Sequence, residues 1–369
     1  MSINKLTGNE LIVFAGAGAS AALEMPTTSQ FIELLKTRMG VNVVSSILSA
    51  FNKHHITDDM QEKKRNPPIV DSEYLRDWFL ELRSSAESIE LLPQINTTVN
   101  PNVKAPKPQA IVQFINSLLS EFDYNIRNAY EEVNQDRAYQ HYLPLLDTFK
   151  SYNFKVIPFF TTNYDLVFES MAGCSACDWH IETGMRINGT RTILDTKLFD
   201  RAKSTDTPTI LIFKLHGSTD WWINKQSGQI QQIPHDAKPP EKCQEVLIYP
   251  TREKFEQIKE KPFSFFYERL KGALSSGSTK ACIAIGYSFR DKFINDMFIE
   301  SLKNGLKLIV LDKTLSQKQL LDEFSIDEQN IRNIVTNIHI HNLDFGNWKQ
   351  GPRKRNTFLE ILNDELKSL

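Results

Sequence analysis

The sequence predicts an α/β fold: a largely parallel sheet carrying a large helical insert. Three observations predict it. Short apolar runs occur near the start of the chain and throughout its second half, but vanish between about residues 41 and 150. Stretches of helical periodicity separate several of these runs. The first of these runs is continuous rather than alternating, as expected of a strand covered on both faces.

The first run is Leu11-Ile12-Val13-Phe14-Ala15, which ends in Gly16-Ala17-Gly18-Ala19-Ser20. Pro26, Thr27, Thr28 and Ser29 then supply turn and cap chemistry for a helix with Phe31, Leu34, Leu35 and Met39 on one face. Asp71 to Leu92 reads as an amphipathic helix through Tyr74, Leu75, Trp78, Phe79 and Leu82. Pro93 to Pro108 reads as a loop, with four prolines and few apolar residues. Helical spacing returns through Ile111, Phe114, Ile115, Leu118 and Leu119, and again from Leu143 to Phe149. Strands resume at Phe154–Phe160, Thr209–Leu215, Val246–Tyr249, Ala281–Ile285, Leu306–Leu311 and Ile338–Leu343. Helices are expected over Lys254–Leu274 and Asp291–Lys303, and the tail from Gly351 to Leu369 starts basic and ends as a short helix.

Composition narrows the function classes. With 41% hydrophobic and 24% charged residues in a 369-residue chain, a sizeable core is available and global disorder is excluded. The net charge of −2 argues against broad electrostatic capture of nucleic acid. Four cysteines (Cys174, Cys177, Cys243 and Cys282) are too few for a disulfide scaffold at this length, which points to a reducing compartment. Met1 to Gly8 shows no basic region followed by an apolar one, and no apolar run reaches about 18 residues. The expected location is the cytoplasm, with no membrane partner.

Four of the expected strands end in small or polar clusters, and ligands of open α/β sheets bind beyond the carboxyl ends of strands. Gly16-Ala17-Gly18-Ala19-Ser20 allows close approach to a pyrophosphate, or forms a tight turn that binds nothing. In Thr161-Thr162-Asn163-Tyr164-Asp165, Asn163 offers donor and acceptor and Asp165 offers an acceptor to a ribose hydroxyl. The competing reading is an Asx cap for the helix through Leu166, Val167 and Phe168. His216, in Lys214-Leu215-His216-Gly217-Ser218, is placed as a general base or as a satisfied core histidine. Gly286-Tyr287-Ser288-Phe289-Arg290-Asp291 is a second glycine–hydroxyl loop or a capped helix start. Trp221 and Trp222 read as base-stacking aromatics or as core anchors.

Taken in order, Gly-Ala-Gly-x-Ser, Thr-x-Asn-x-Asp, Leu-His-Gly-Ser and Gly-Tyr-Ser resemble the sirtuin superfamily. The resemblance implies a Rossmann-like NAD-binding domain formed by 1–40 and 151–350, with a helical insert at 41–150 and a tail at 351–369. It implies that Gly16, Ala17, Gly18 and Ser20 hold the dinucleotide pyrophosphate. By the same resemblance, Asn163 sits by the nicotinamide ribose with Thr162 and Asp165 beside it, and His216 is the base. Gly286 and Ser288 then belong to a second dinucleotide-contacting loop, and Asp312 meets the adenine-side ribose.

The departures redirect the substrate. Protein-deacylating sirtuins carry two Cys-x-x-Cys pairs on a structural zinc; here Cys174 and Cys177 form one pair, and His180 adds a third ligand at most. Cys282 lies in an apolar strand and reads as core. Glu24-Met25-Pro26-Thr27-Thr28 stands where the family has Asp-Phe-Arg. The pattern is similar to bacterial sirtuin-like NAD hydrolases of antiphage defence. It implies NAD as substrate, no metal, a homo-oligomer and a partner ATPase of the HerA type. Two other classes stay open: an NAD- or ADP-ribose-binding assembly module, and a relative acting on nucleic acid or acyl-protein.

Overall fold

β1 (Leu11–Ala15) is buried on both faces along its whole length, and everything that matters for the site is arranged around it. The structure is a computed structural model. It describes residues 10–26, 28–39, 44–45, 79–84, 108–129, 133–202, 206–234, 237, 239–248, 254–325, 334–342 and 355–369. The chain divides into two compact units, one of Met1–Met25, Tyr130–Ile248 and Glu256–Leu369, the other of Pro26–Ala129 and Tyr249–Phe255.

The first unit holds two sheets. Its strands in chain order are β1, β2 (Val156–Thr161), β3 (His180–Glu182), β4 (Met185–Asn188), β5 (Arg191–Leu194), β6 (Thr209–Lys214), β7 (Gly217–Asn224), β8 (Ile230–Gln232), β9 (Cys243–Leu247), β10 (Ala281–Ile285), β11 (Lys307–Asp312) and β12 (Ile338–Asn342). The larger sheet is wholly parallel, in the order β12-β11-β10-β1-β2-β6-β3. Without the short edge strand β3, this is the doubly wound order 3-2-1-4-5-6 of a Rossmann-type fold, with the order reversing between β1 and β10. β1, β6 and β10 are fully buried, which is why each reads as an uninterrupted apolar run. Cys282, in the middle of β10, is one of these core residues.

The smaller sheet is antiparallel, in the order β4-β5-β8-β7-β9. It corrects the expectation for Val246–Tyr249: the strand there is Cys243–Leu247, and it pairs with β7 instead of joining the parallel sheet. Trp221 and Trp222 lie on β7 and are both buried, Trp221 against Phe266, so they anchor the core.

In the second unit, α1 (Thr28–Met39) packs with α2 (Pro108–Ala129). Ile115, Leu118, Leu119 and Phe122 repeat at helical spacing on α2 and form its buried stripe. Residues 79–84 are helical and Phe79 is buried; Tyr74 and Trp78, and the loop expected over 93–107, lie outside the described residues. Phe114 and Tyr124, each at 60% exposure, lie outside that stripe on the same helix.

α3 (Gln135–Ser151), α4 (Val167–Ser170) and α5 (Leu198–Ala202) return to the first unit. The helical stretch expected over 254–274 is two helices, α6 (Lys254–Lys259) and α7 (Phe263–Ser275), because Pro262 starts a new one. α8 (Lys292–Lys303), α9 (Gln317–Phe324) and α10 (Arg355–Lys367) complete the order.

Glu365 ties α10 to the sheet edge. Its carboxylate meets Lys307 Nζ at 2.6 Å, His339 Nδ1 at 3.0 Å and His341 Nε2 at 2.7 Å. Burial raises the carboxyl pKa, but the bonds from Lys307, His339 and His341 outweigh it and hold the group at about 2. A depressed carboxyl stabilises the fold above its unfolded value of about 4.3 and loses that contribution as pH falls toward 2. The melting temperature is expected to drop more steeply from pH 4.5 to pH 2 in the parent than in Glu365→Gln. Parallel melting curves across that window would disprove a role for this network.

Candidate functional site

The four polar clusters converge. They follow β10, β1, β2 and β6, which are neighbours in the parallel sheet, so all four loops emerge at one carboxyl edge. The crevice outside such an edge, where strand order reverses, is where ligands of this architecture bind.

The loop after β1 folds as two short 3-10 turns, Ala17–Ala19 and Ala21–Leu23. It packs backbone to backbone on the loop after β10. Gly16 N donates to Ile285 O at 3.0 Å and Gly18 N to Gly286 O at 2.9 Å. A Cβ on Gly286 would lie 2.3 Å from Ala19 N, and Gly286 has φ +55°. Cβ atoms on Gly16 and Gly18 would come within 2.7 and 2.8 Å of the facing loop. These glycines are thus required by the contact between the loops. The N–H groups of Gly16, Gly18, Ala19 and Ser20 are used inside the protein, and Ala17 N takes part in none of these bonds. From α3, Tyr142 Oη donates to Ala19 O at 2.7 Å and His141 Nε2 lies 3.2 Å from the same oxygen.

Asn163 is buried and joins the second loop to the first. Its Nδ2 donates to Gly16 O at 3.0 Å and to Ser20 Oγ at 3.2 Å, while its backbone N–H donates to Thr161 Oγ1. The bond to the start of the next helix comes from Asp165, not Asn163: Asp165 Oδ1 accepts from Val167 N at 3.1 Å, while Leu166 occupies the N-cap position. Burial raises the Asp165 pKa against the opposing charge of Lys214 and bonds from Val167, Ser20 and Asn163. Thr162 is half-buried and donates its N–H to Ala15 O.

Lys214, 1% exposed, is the internal cation beneath this loop. Its ammonium donates to the carbonyls of Asp165 and Tyr164 and pairs with Glu169 at 2.9 Å. Burial raises the Glu169 pKa, with the Lys214 charge opposing. A buried ammonium is tolerated only where such partners surround it.

His216, 6% exposed, stands at the corner where the chain leaves the parallel sheet at β6 and enters the antiparallel one at β7. Gly217 makes that corner: its φ is +85°, and a Cβ would lie 2.0 Å from Val246 O. The His216 ring centroid is 6.3 Å from that of Tyr164, and its Nε2 is 3.5 Å from Asp291 Oδ2. Just beyond it, Ser218 Oγ and Asp220 Oδ1 are buried with no hydrogen-bond partner among the described residues. Orphaned buried polar atoms at a strand end fit a site that receives a ligand's polar groups.

Ser288, in the loop after β10, is exposed. Asp312 ends β11, and its Oδ1 accepts from Thr314 N and Leu315 N, each at 2.8 Å. It lies one strand beyond the four-loop cluster, since β11 follows β10 in the sheet. Among the described residues no cluster of three His, Cys, Asp or Glu side chains is arranged to hold a metal. The Cys177 thiol lies 3.6 Å from Trp179 O, and burial pushes its pKa up.

Three residues here escaped sequence reading. Tyr142 and Asp291 had helical or capping signals that hid their second roles, and Glu169 carries no motif at all. The partner of each is set by tertiary contact alone.

Comparison with known proteins gives a match between residues 158–334 and a SIR2-like domain. That span covers the Asn163, His216 and Gly286 clusters, while the Gly16–Ser20 loop lies before it. Among solved structures, a Sir2 homologue in complex with NAD is similar at 12% identity and a TM-score of 0.46, covering 97% of this chain and 90% of that one. A Sir2 homologue bound to 2′-O-acetyl ADP-ribose aligns at 12% identity and a TM-score of 0.40 over 97% and 93% of the two chains. A complex of Sir2 with a p53 peptide and NAD aligns at 11% identity and 0.40 over 96% and 92%. No curated protein sequence matches the chain. No helix among the described residues is long and apolar enough to cross a membrane.

Proposed function

We propose that this protein is an NAD hydrolase that cleaves the bond between nicotinamide and ribose. The observation that supports it best is the convergence of Asn163 and His216 at the carboxyl edge of β2 and β6, beside the interlocked glycine loops of the switch point. In hydrolysis the glycosidic electron pair leaves with nicotinamide, water oxygen bonds to the ribose carbon, and one proton is released. His216 takes a proton from a ribose hydroxyl or from water. Asn163 orients the nicotinamide ribose, with its amide already fixed by Gly16 and Ser20. Ala17, Ser20, Thr162, Gly286 and Ser288 border the dinucleotide, and Asp312 takes its adenine side. Asp165 supports the loop from below.

A chain that depletes NAD needs restraint. Antiphage defence, with a homo-oligomer and a HerA-type ATPase partner in the cytoplasm, is the setting this reading favours. The test is release of nicotinamide and ADP-ribose from NAD by the purified full chain, alone and with candidate partners. NAD bound but never consumed under any of these conditions would leave an NAD-binding module in its place.

Zinc does not fit. Cys174 and Cys177 supply two thiolates, and Cys243 and Cys282 lie on separate strands. Metal analysis of the purified protein is expected to find far less than one zinc per chain. One tightly held zinc, lost in Cys177→Ser, would overturn this and favour a deacylase.

A further inference from the structure

The loop after β10 reaches across β1 and β2 to the end of β6, where it brings Asp291 to His216. The two carboxylate oxygens of Asp291 do different work. Oδ1 caps α8, accepting from Phe293 N at 3.1 Å and Ile294 N at 3.4 Å. Oδ2 lies 3.5 Å from His216 Nε2, with both side chains about nine-tenths buried. The approach is held rigidly. Phe289 adopts φ +55°, a conformation that a bulky residue enters only under constraint. Its ring is fully buried beside Tyr287, Phe298 and Phe324, and its carbonyl accepts from Asn295 Nδ2 at 2.6 Å. Tyr164, after β2, is the other titratable group whose ring borders His216. Burial, reinforced by the nearby charges of Asp291 and Tyr164, pushes the pKa of Tyr267 on α7 well up.

We propose that Asp291 is the positioning residue of His216: its carboxylate accepts the Nε2–H of the neutral imidazole and leaves the lone pair on Nδ1. The inference rests on the hydrolase reading for its consequence, because it names Nδ1 as the nitrogen that receives the proton. It does not need that reading for its geometry. Which ring nitrogen carries the proton is set by the hydrogen bond the other side makes. A carboxylate facing Nε2 also stabilises the imidazolium formed once Nδ1 is protonated.

The test uses the full-length protein labelled with 15N-histidine, with the His216 signals assigned by their loss in His216→Gln. The parent is expected to show the Nε2–H tautomer at a pH where the ring is neutral. Asp291→Asn and Asp291→Ser both retain a good helix cap, so α8 keeps its start. Both are expected to redistribute the tautomer. Both are also expected to lower kcat on the order of 10–100-fold with KM within about twofold, as for other carboxylates that orient a working histidine. An Nδ1–H tautomer in the parent would overturn the proposal. So would unchanged tautomer and kcat in both variants. If the tautomer behaves as stated but the parent never consumes NAD, the hydrolase reading falls and the positioning role stands.

Discussion

Replacing His216 with alanine is expected to lower NAD turnover by about 10²–10⁴-fold, the usual loss when a general base is removed. The fold should survive. The backbone contribution of His216, its carbonyl accepting from Ile248 N at 2.8 Å, is untouched. Gly217, not the histidine, makes the corner into β7. Asp291 keeps its bonds from Phe293 and Ile294, so the carboxylate left behind is not stripped of partners. Nicotinamide release and a melting curve, taken on the same preparation, settle the matter. A well-folded alanine variant that works at the parental rate would remove His216 from the reaction.

Asn163→Ala is expected to reduce turnover comparably and also to reduce stability, by about 1–3 kcal/mol. Its amide is the donor to both Gly16 O and Ser20 Oγ, so deletion removes two buried bonds, leaves Gly16 O with the bond from Ala19 N, and loosens one loop from the other. Asn163→Asp sharpens the point: the size is the same, but a carboxylate faces the Gly16 carbonyl and repels it. The start of the following helix is not at issue, since the side-chain bond to Val167 N comes from Asp165. Unchanged specific activity in the folded fraction of Asn163→Ala, with only a lower melting temperature, would reduce the residue to a structural tie.

How much of this was legible follows from where each residue's environment is written. β1, β6 and β10 are buried on both faces, so each is a continuous apolar run. The antiparallel sheet stayed invisible for the opposite reason. β4 and β5 have four residues each, β4 is largely exposed, and β7 begins with buried Ser218, Thr219 and Asp220, whose polarity reads as loop. Asn188-Gly189, where β4 ends and the two-residue turn Gly189-Thr190 begins, was the available hairpin signal. At the site, the four clusters stood out because small and polar residues follow apolar strands. Their supports did not. Lys214 looks like a surface lysine until Glu169 and two carbonyls are placed around it. Asp291 looks like an ordinary cap until a strand 75 residues earlier brings His216 beside it.

The central position of β1 also dictates when the proposed site can form. Leu11 pairs with Ala281, so β1 is completed on one side only after some 270 further residues have left the ribosome. At roughly 5–20 residues per second, that wait is on the order of tens of seconds. Until then the Gly16–Ser20 turn has no Gly286 loop to rest on, and Asp291 does not yet exist to meet His216. Nascent chains, and products of premature termination before β10, therefore carry Asn163 and His216 without a finished cradle. The crevice proposed to hold NAD is thus assembled only once β10 and the loop to Asp291 have been made, so shorter fragments lack it.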